Sequence, residues 1–190
     1  MMSMKKLLFA LLLISSQIIA QQPSPLSLVD PTIGGVGVLL EPIRPTVHLP
    51  NAMLRMYPMK RDQIDDQVAY FPLNVPSHRL NWVFGFLPVS GPVTAGSWTQ
   101  KLTIEKEQTT PYYYQVASED AVHDVEFTVA ERSGYFRVAF RNKEEHYLRF
   151  GTLNGNGSIE VTGKRVITGT ENFFGMKAYF YAETDVDIIS

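Results

Sequence analysis

The feature that most constrains this chain is a period of two. In Asp124-Val125-Glu126-Phe127-Thr128-Val129-Ala130-Glu131, polar and apolar residues alternate, so Val125, Phe127 and Val129 share one face of an extended strand. Arg132-Ser133-Gly134 is a turn signal, and residues 135–141 return with Phe136, Val138 and Phe140 on one face, which predicts a β-hairpin. A second hairpin is predicted over residues 158–161 and 164–168, joined at Thr162-Gly163. Residues 98–105, 112–116 and 178–182 read as further strands, and shorter runs of strand formers occur at Tyr70, Phe71 and Val75 and over residues 82–86. No stretch beyond residue 20 shows a helical period. Short strands separated by turns predict an all-β fold, an antiparallel β-sandwich of the supersandwich kind.

Residues 1–20 read as a targeting segment and not as part of that fold. Lys5 and Lys6 supply a positive start, residues 7–13 with Ile14, Ile18 and Ile19 an apolar stretch, and Ala20 a small residue at a cleavage point. Ser15, Ser16 and Gln17 break the stretch, which is short for a bilayer span. The expectation is an exported protein, periplasmic or extracellular after cleavage, without stable membrane insertion. Residues 21–190 then form one domain, long enough for a core of its own. The chain has no cysteine, which excludes disulfides, catalytic thiols and thiolate zinc sites. Its formal charge of −2 carries no basic stripe, so nucleic acid is not an expected partner.

Candidate chemistry is sparse. Gly34-Gly35-Val36-Gly37 lacks the Lys-Ser/Thr of a phosphate loop and reads as a turn. No Gly-x-Ser-x-Gly elbow occurs. The four histidines show no metal-ligand spacing. His123 and His146 read as surface or turn residues, whereas His78, in Pro76-Ser77-His78-Arg79, lies in a polar loop suited to function. Arg61, Asp62, Asp65 and Asp66 make the densest charged cluster, whose plain reading is a solvated loop. Trp82, Trp98 and Tyr112-Tyr113-Tyr114 could stack on sugar rings or fill a β core. Asn156-Gly157-Ser158 matches a glycosylation sequon and also reads as a turn.

Several segments, taken in order, resemble glycoside hydrolase family 92. Val29-Asp30-Pro31-Thr32-Ile33-Gly34-Gly35 and Pro50-Asn51-Ala52-Met53-Leu54-Arg55-Met56-Tyr57-Pro58 are similar to the opening of its N-terminal domain, and Ser77-His78-Arg79-Leu80 resembles its histidine loop. Residues 110–116 and 125–129 and Glu131-Arg132-Ser133-Gly134-Tyr135-Phe136-Arg137 resemble its paired strands. The resemblance runs from about Val29 to about Ala182. It implies an exported α-mannosidase built from an N-terminal β-sandwich and a helical domain, calcium-dependent and inverting. The Glu acid, the Asp base and the calcium ligands belong to the helical part, with the two carboxylates spaced to admit a water. On this resemblance all of them fall beyond Ser190. Residues 62–69 also lack the tryptophan with which the family contacts substrate, and one histidine, His78, stands where the family has two.

The resemblance therefore implies a sandwich incomplete at its C-terminus, partnered by a helical catalytic domain encoded downstream and by a mannose-containing glycan. No catalytic residue and no metal ligand is expected in this chain, and no cofactor, calcium being held by the complete family enzyme. His78, Arg61 and Asp65 are the expected substrate contacts along one wall of the pocket. The competing readings are a free-standing carbohydrate-binding or adhesion module and an inactive gene fragment.

Overall fold

The computed structural model describes residues 24–33, 46–62, 64–77 and 81–189. The predicted export segment, the Gly34-Gly35-Val36-Gly37 turn and His78 lie outside them. Among the described residues there is no α-helix, only two 3-10 turns at Pro25–Leu28 and Ala95–Trp98. The described residues form eleven strands in three antiparallel sheets. The largest takes β1 (Gln67–Val68), β4 (Leu102–Thr109), β5 (Tyr113–Ser118), β6 (His123–Val129) and β7 (Gly134–Phe140), in that spatial order. The second is β2 (Phe71–Ser77), β3 (Asn81–Ser90) and β8 (His146–Gly151). The third places β10 (Val166–Phe173) between β9 (Gly157–Thr162) and β11 (Met176–Glu183).

The main core lies between the first two sheets. Val68, Leu102, Ile104, Tyr114, Val116, Val125, Phe127 and Val129 come from the five-stranded sheet, and Phe71, Phe86 and Leu87 from β2 and β3. Val47 and Met56, joined by an isolated antiparallel bridge, close it from the preceding segment. The predicted alternation holds in β6, where Val125, Phe127 and Val129 are buried, and Phe127 meets Phe136 of β7 at 4.5 Å between ring centroids. Burial of each such side chain contributes about 2 kcal/mol.

Strand β3 differs from its neighbours. Every residue from Val83 to Val89 is buried, because both of its faces are covered. At its start Val83 and Phe84 join Phe173 in a second, smaller core, with Phe84 and Phe180 4.6 Å apart. Further along, Phe86 and Leu87 enter the main core. That second core attaches the third sheet.

The predicted hairpins are found at β6–β7 and β9–β10. A third, β10–β11, turns through Phe174 (φ 45°) and Gly175 (φ 80°), the double positive φ of a type I′ loop. One strand prediction shifts. Trp98 does not open a strand but ends the 3-10 turn, 64% exposed, and β4 begins at Leu102. The Ser97 amide donates to the Thr94 carbonyl and the Ser97 hydroxyl accepts the Thr94 amide, both at 3.0 Å, so local hydrogen bonding outcompetes strand propensity there.

Candidate functional site

The charged segment at Arg61 folds on its own backbone. The Asp62 Oδ1 accepts the amides of Ile64 at 3.1 Å and Asp65 at 3.0 Å. Asp65 in turn accepts the Arg61 amide at 3.0 Å on Oδ2 and the Gln67 amide at 3.1 Å on Oδ1. Both aspartates act as the short local acceptors that close such loops. Burial pushes the Asp65 carboxyl up; the Arg61 and Gln67 amides and the charges of Arg61 and Lys101 outweigh it and hold the group below the ordinary aspartate value. The Arg61 side chain is left 78% exposed, 3.4 Å from Asp62 Oδ2, with its remaining N–H groups open to solvent. Arg61 and Asp65 are thus brought together, Asp65 as the staple and Arg61 as the outward donor. They sit beside the start of β2, through the Met59–Tyr70 and Ala69–Met59 hydrogen bonds. Ser77, which precedes His78, closes β2 at its other end, about 20 Å along an extended strand.

Buried charges escaped sequence reasoning. Glu171, on β10, is 1% exposed and lies in the second core. Its carboxylate accepts the Phe84 amide at 2.7 Å, the Asn154 side-chain amide at 2.6 Å and the Asn154 backbone amide. Arg149, on β8, is 8% exposed and donates to the carbonyls of Ser97 (2.7 Å), Gln100 (3.0 Å) and Ala69 (3.0 Å) while lying 4.6 Å over the Tyr70 ring. Neither stands in a motif, because their partners, mostly backbone groups, are supplied by distant segments. A third, Lys60, pairs with Glu107 at 2.7 Å inside the protein, and the Tyr114 hydroxyl donates to the same carboxylate at 2.9 Å.

The outer face of the five-stranded sheet carries a shallow groove of about 190 Å³, lined by Tyr113, Glu126, Phe127, Thr128, Tyr135 and Arg137. Register explains it. Tyr113, Thr128 and Tyr135 stand opposite one another across β5, β6 and β7, and Gln115, Glu126 and Arg137 form the next row. Arg137 is bidentate to Glu126 (2.5 and 2.7 Å from Nη2), and the Tyr113 hydroxyl donates to Glu126 at 2.7 Å. The Arg137 and Tyr113 hydrogen bonds hold the Glu126 carboxyl below its usual range. Thr128 donates to the Tyr112 carbonyl at 2.9 Å and is exposed, and Tyr135 is 64% exposed. Of the predicted tyrosine run, Tyr114 is buried in the core, whereas Tyr112 and Tyr113 reach the surface.

Histidine placement corrects one sequence reading. His123 is not a surface residue: it opens β6 at 4% exposure, and His146 opens β8. Among the described residues no three acidic or histidine side chains converge as cation ligands would.

This architecture defines an all-β sandwich domain extended by a third sheet. The chain belongs to glycosyl hydrolase family 92: the N-terminal domain of that family matches residues 28–190. Among solved structures it is similar to a family GH92 inverting mannosidase from Bacteroides thetaiotaomicron, with 22% identity and a TM-score of 0.65 over 76% of this chain. At that identity the likeness is one of fold. The chain spans 22% of the length of that mannosidase. No curated protein matches it.

Proposed function

We propose that this chain is the N-terminal β domain of an exported α-mannosidase-like glycoside hydrolase. It forms one wall of a mannoside-binding site through Arg61, Asp65 and His78, and it does not hydrolyse glycosides by itself. Acid, base and calcium come from a helical partner domain. The family membership supports this reading, and one observation carries the wall role: Asp65 spends its oxygens on backbone amides and so fixes a loop from which the Arg61 guanidinium projects, 78% exposed. Arginine N–H groups in such a position can donate to sugar hydroxyls. Titrating the isotope-labelled chain with methyl α-mannopyranoside tests it. Amide shifts at residues 61–66 and 77–81, with no turnover of an aryl α-mannoside in the presence of calcium, are expected. Unmoved amides there sink the wall role, and turnover sinks the non-catalytic one.

A second reading, a carbohydrate-binding module, is favoured by the groove on the outer face. Tyr113 and Tyr135 stand two strand spacings apart, about 9.5 Å, on either side of Thr128. The Glu126–Arg137 pair makes that floor neutral, which suits an uncharged hydroxyl-rich ring. In the same titration, shifts confined to residues 113, 128 and 135 select this reading over the first.

A further inference from the structure

At the end of the sandwich remote from Glu171, one serine hydroxyl joins two imidazoles. Ser90 Oγ, the last residue of β3, lies 2.9 Å from His123 Nε2 and 3.1 Å from His146 Nδ1. The other nitrogen of His146 faces the Asn142 carbonyl at 3.3 Å. The Phe140 ring stacks on His146 at 4.3 Å and meets His123 edge-on at 5.6 Å. Because β6 belongs to the five-stranded sheet, and β3 and β8 to the second, the cluster ties one sheet to the other.

The partners fix every proton. A carbonyl only accepts, so His146 carries its hydrogen on Nε2 and, when neutral, has a bare Nδ1. Ser90 donates its one hydrogen to that Nδ1 and uses a lone pair to accept from His123 Nε2–H. His123 Nδ1 is then bare, buried and without a hydrogen-bond partner. A proton added at His123 would sit on that orphaned nitrogen. A proton added at His146 would turn Nδ1 into a second donor toward Ser90 and strand the serine hydrogen. The network is complete only with both rings neutral.

We propose that Ser90, His123 and His146 form an acid-released clamp that holds the two sheets together near neutral pH and lets this end part on acidification. The surrounding charges do not supply the missing acceptor. Asp120, the carboxylate that acts on His123, already accepts from Ser118 Oγ and the Val122 amide. In the loop before β8, Glu144 takes the Asn142 side chain and Glu145 the Tyr147 hydroxyl; Arg141, at the end of β7, is held by Asp124. Lys143, in that loop, cannot accept. Burial accordingly lowers the proton affinity of His123; Asp120 opposes this and His146 adds to it.

The test measures urea unfolding of the full chain from pH 7.5 to 5.5, beside His123→Gln, whose amide keeps a donor near the Nε2 position but takes up no proton. The wild-type folding constant should fall by up to about tenfold per pH unit below about 6.5, and the variant should lose the part of that slope carried by His123. A flat wild-type profile, or an equal slope in the variant, overturns the proposal. Imidazole ¹⁵N shifts of the wild-type chain at pH 7.5 give a second readout that requires no variant to fold. Both rings should show the Nε2–H tautomer; an Nδ1–H ring at either position overturns the clamp.

Discussion

The Glu171 carboxylate of β10 reaches into β3 and accepts the Phe84 amide at 2.7 Å. Phe84 presents that amide by adopting φ 46°, a left-handed conformation that costs a phenylalanine about 1–2 kcal/mol. Carboxylate and strained amide therefore define each other. The same oxygens order Asn154, whose side chain also donates to the Trp82 carbonyl at 2.9 Å, so one acidic residue fixes how the third sheet docks on the second. Glu171→Gln, which replaces an acceptor oxygen with a donor amide against amide donors, should destabilise the chain by about 3 kcal/mol in urea unfolding.

The Lys60–Glu107 pair is costly to disturb. Lys60 has 1% of its side chain exposed, so Glu107→Gln leaves a buried ammonium without its counter-charge. A loss of about 3–5 kcal/mol is expected. Lys60→Met in the same background should recover part of it, because the uncompensated charge is gone.

Gly157 has no room for a methyl group. A Cβ there would fall 2.0 Å from the Thr170 carbonyl oxygen and 2.9 Å from the Glu171 Cα, both backbone atoms of the paired strand. Gly157→Ala should destabilise by about 2–3 kcal/mol, as overpacking does, and weaken amide protection along β9. Gly163, with φ 66° and open space around it, should show no clash with Ala, only the conformational penalty.

Acid should release the outer-face network through Glu126. The folded-state Glu126 carboxyl is depressed, by the Arg137 and Tyr113 hydrogen bonds first. A depressed acid stabilises the fold above its unfolded value, about 4.3, and that contribution disappears as pH falls through the lower folded value. Arg137→Ala should lower stability above pH 5, flatten the profile between pH 5 and 3, and bring the variant close to the wild type at pH 3. Unfolding curves of both proteins at pH 3, 4 and 5 check this.

Much of the fold was legible because β-strands announce themselves by alternation. The face of Val125, Phe127 and Val129, the turn at Gly134 and the strand around residues 178–182 all follow from period two. Strand β3 was legible only as a run of strand formers, since a strand covered on both faces shows no alternation. The site was harder to read. Arg61 and Asp65 are neighbours through local hydrogen bonds that short spacing suggests. Glu126 and Arg137 meet only through cross-strand register, and Ser90, His123 and His146 through the packing of two sheets, neither of which a linear pattern encodes.

Strand β3 belongs to the second core at its start, through Val83 and Phe84, and to the main core further on, through Phe86 and Leu87. The layers consequently share a structural keystone and are not separate folding units. Opening either core exposes β3, so neither should melt without the other, and the chain should unfold in a single calorimetric transition. Amide hydrogens from Val83 to Val89 should be the last to exchange, at a rate set by unfolding of the whole molecule.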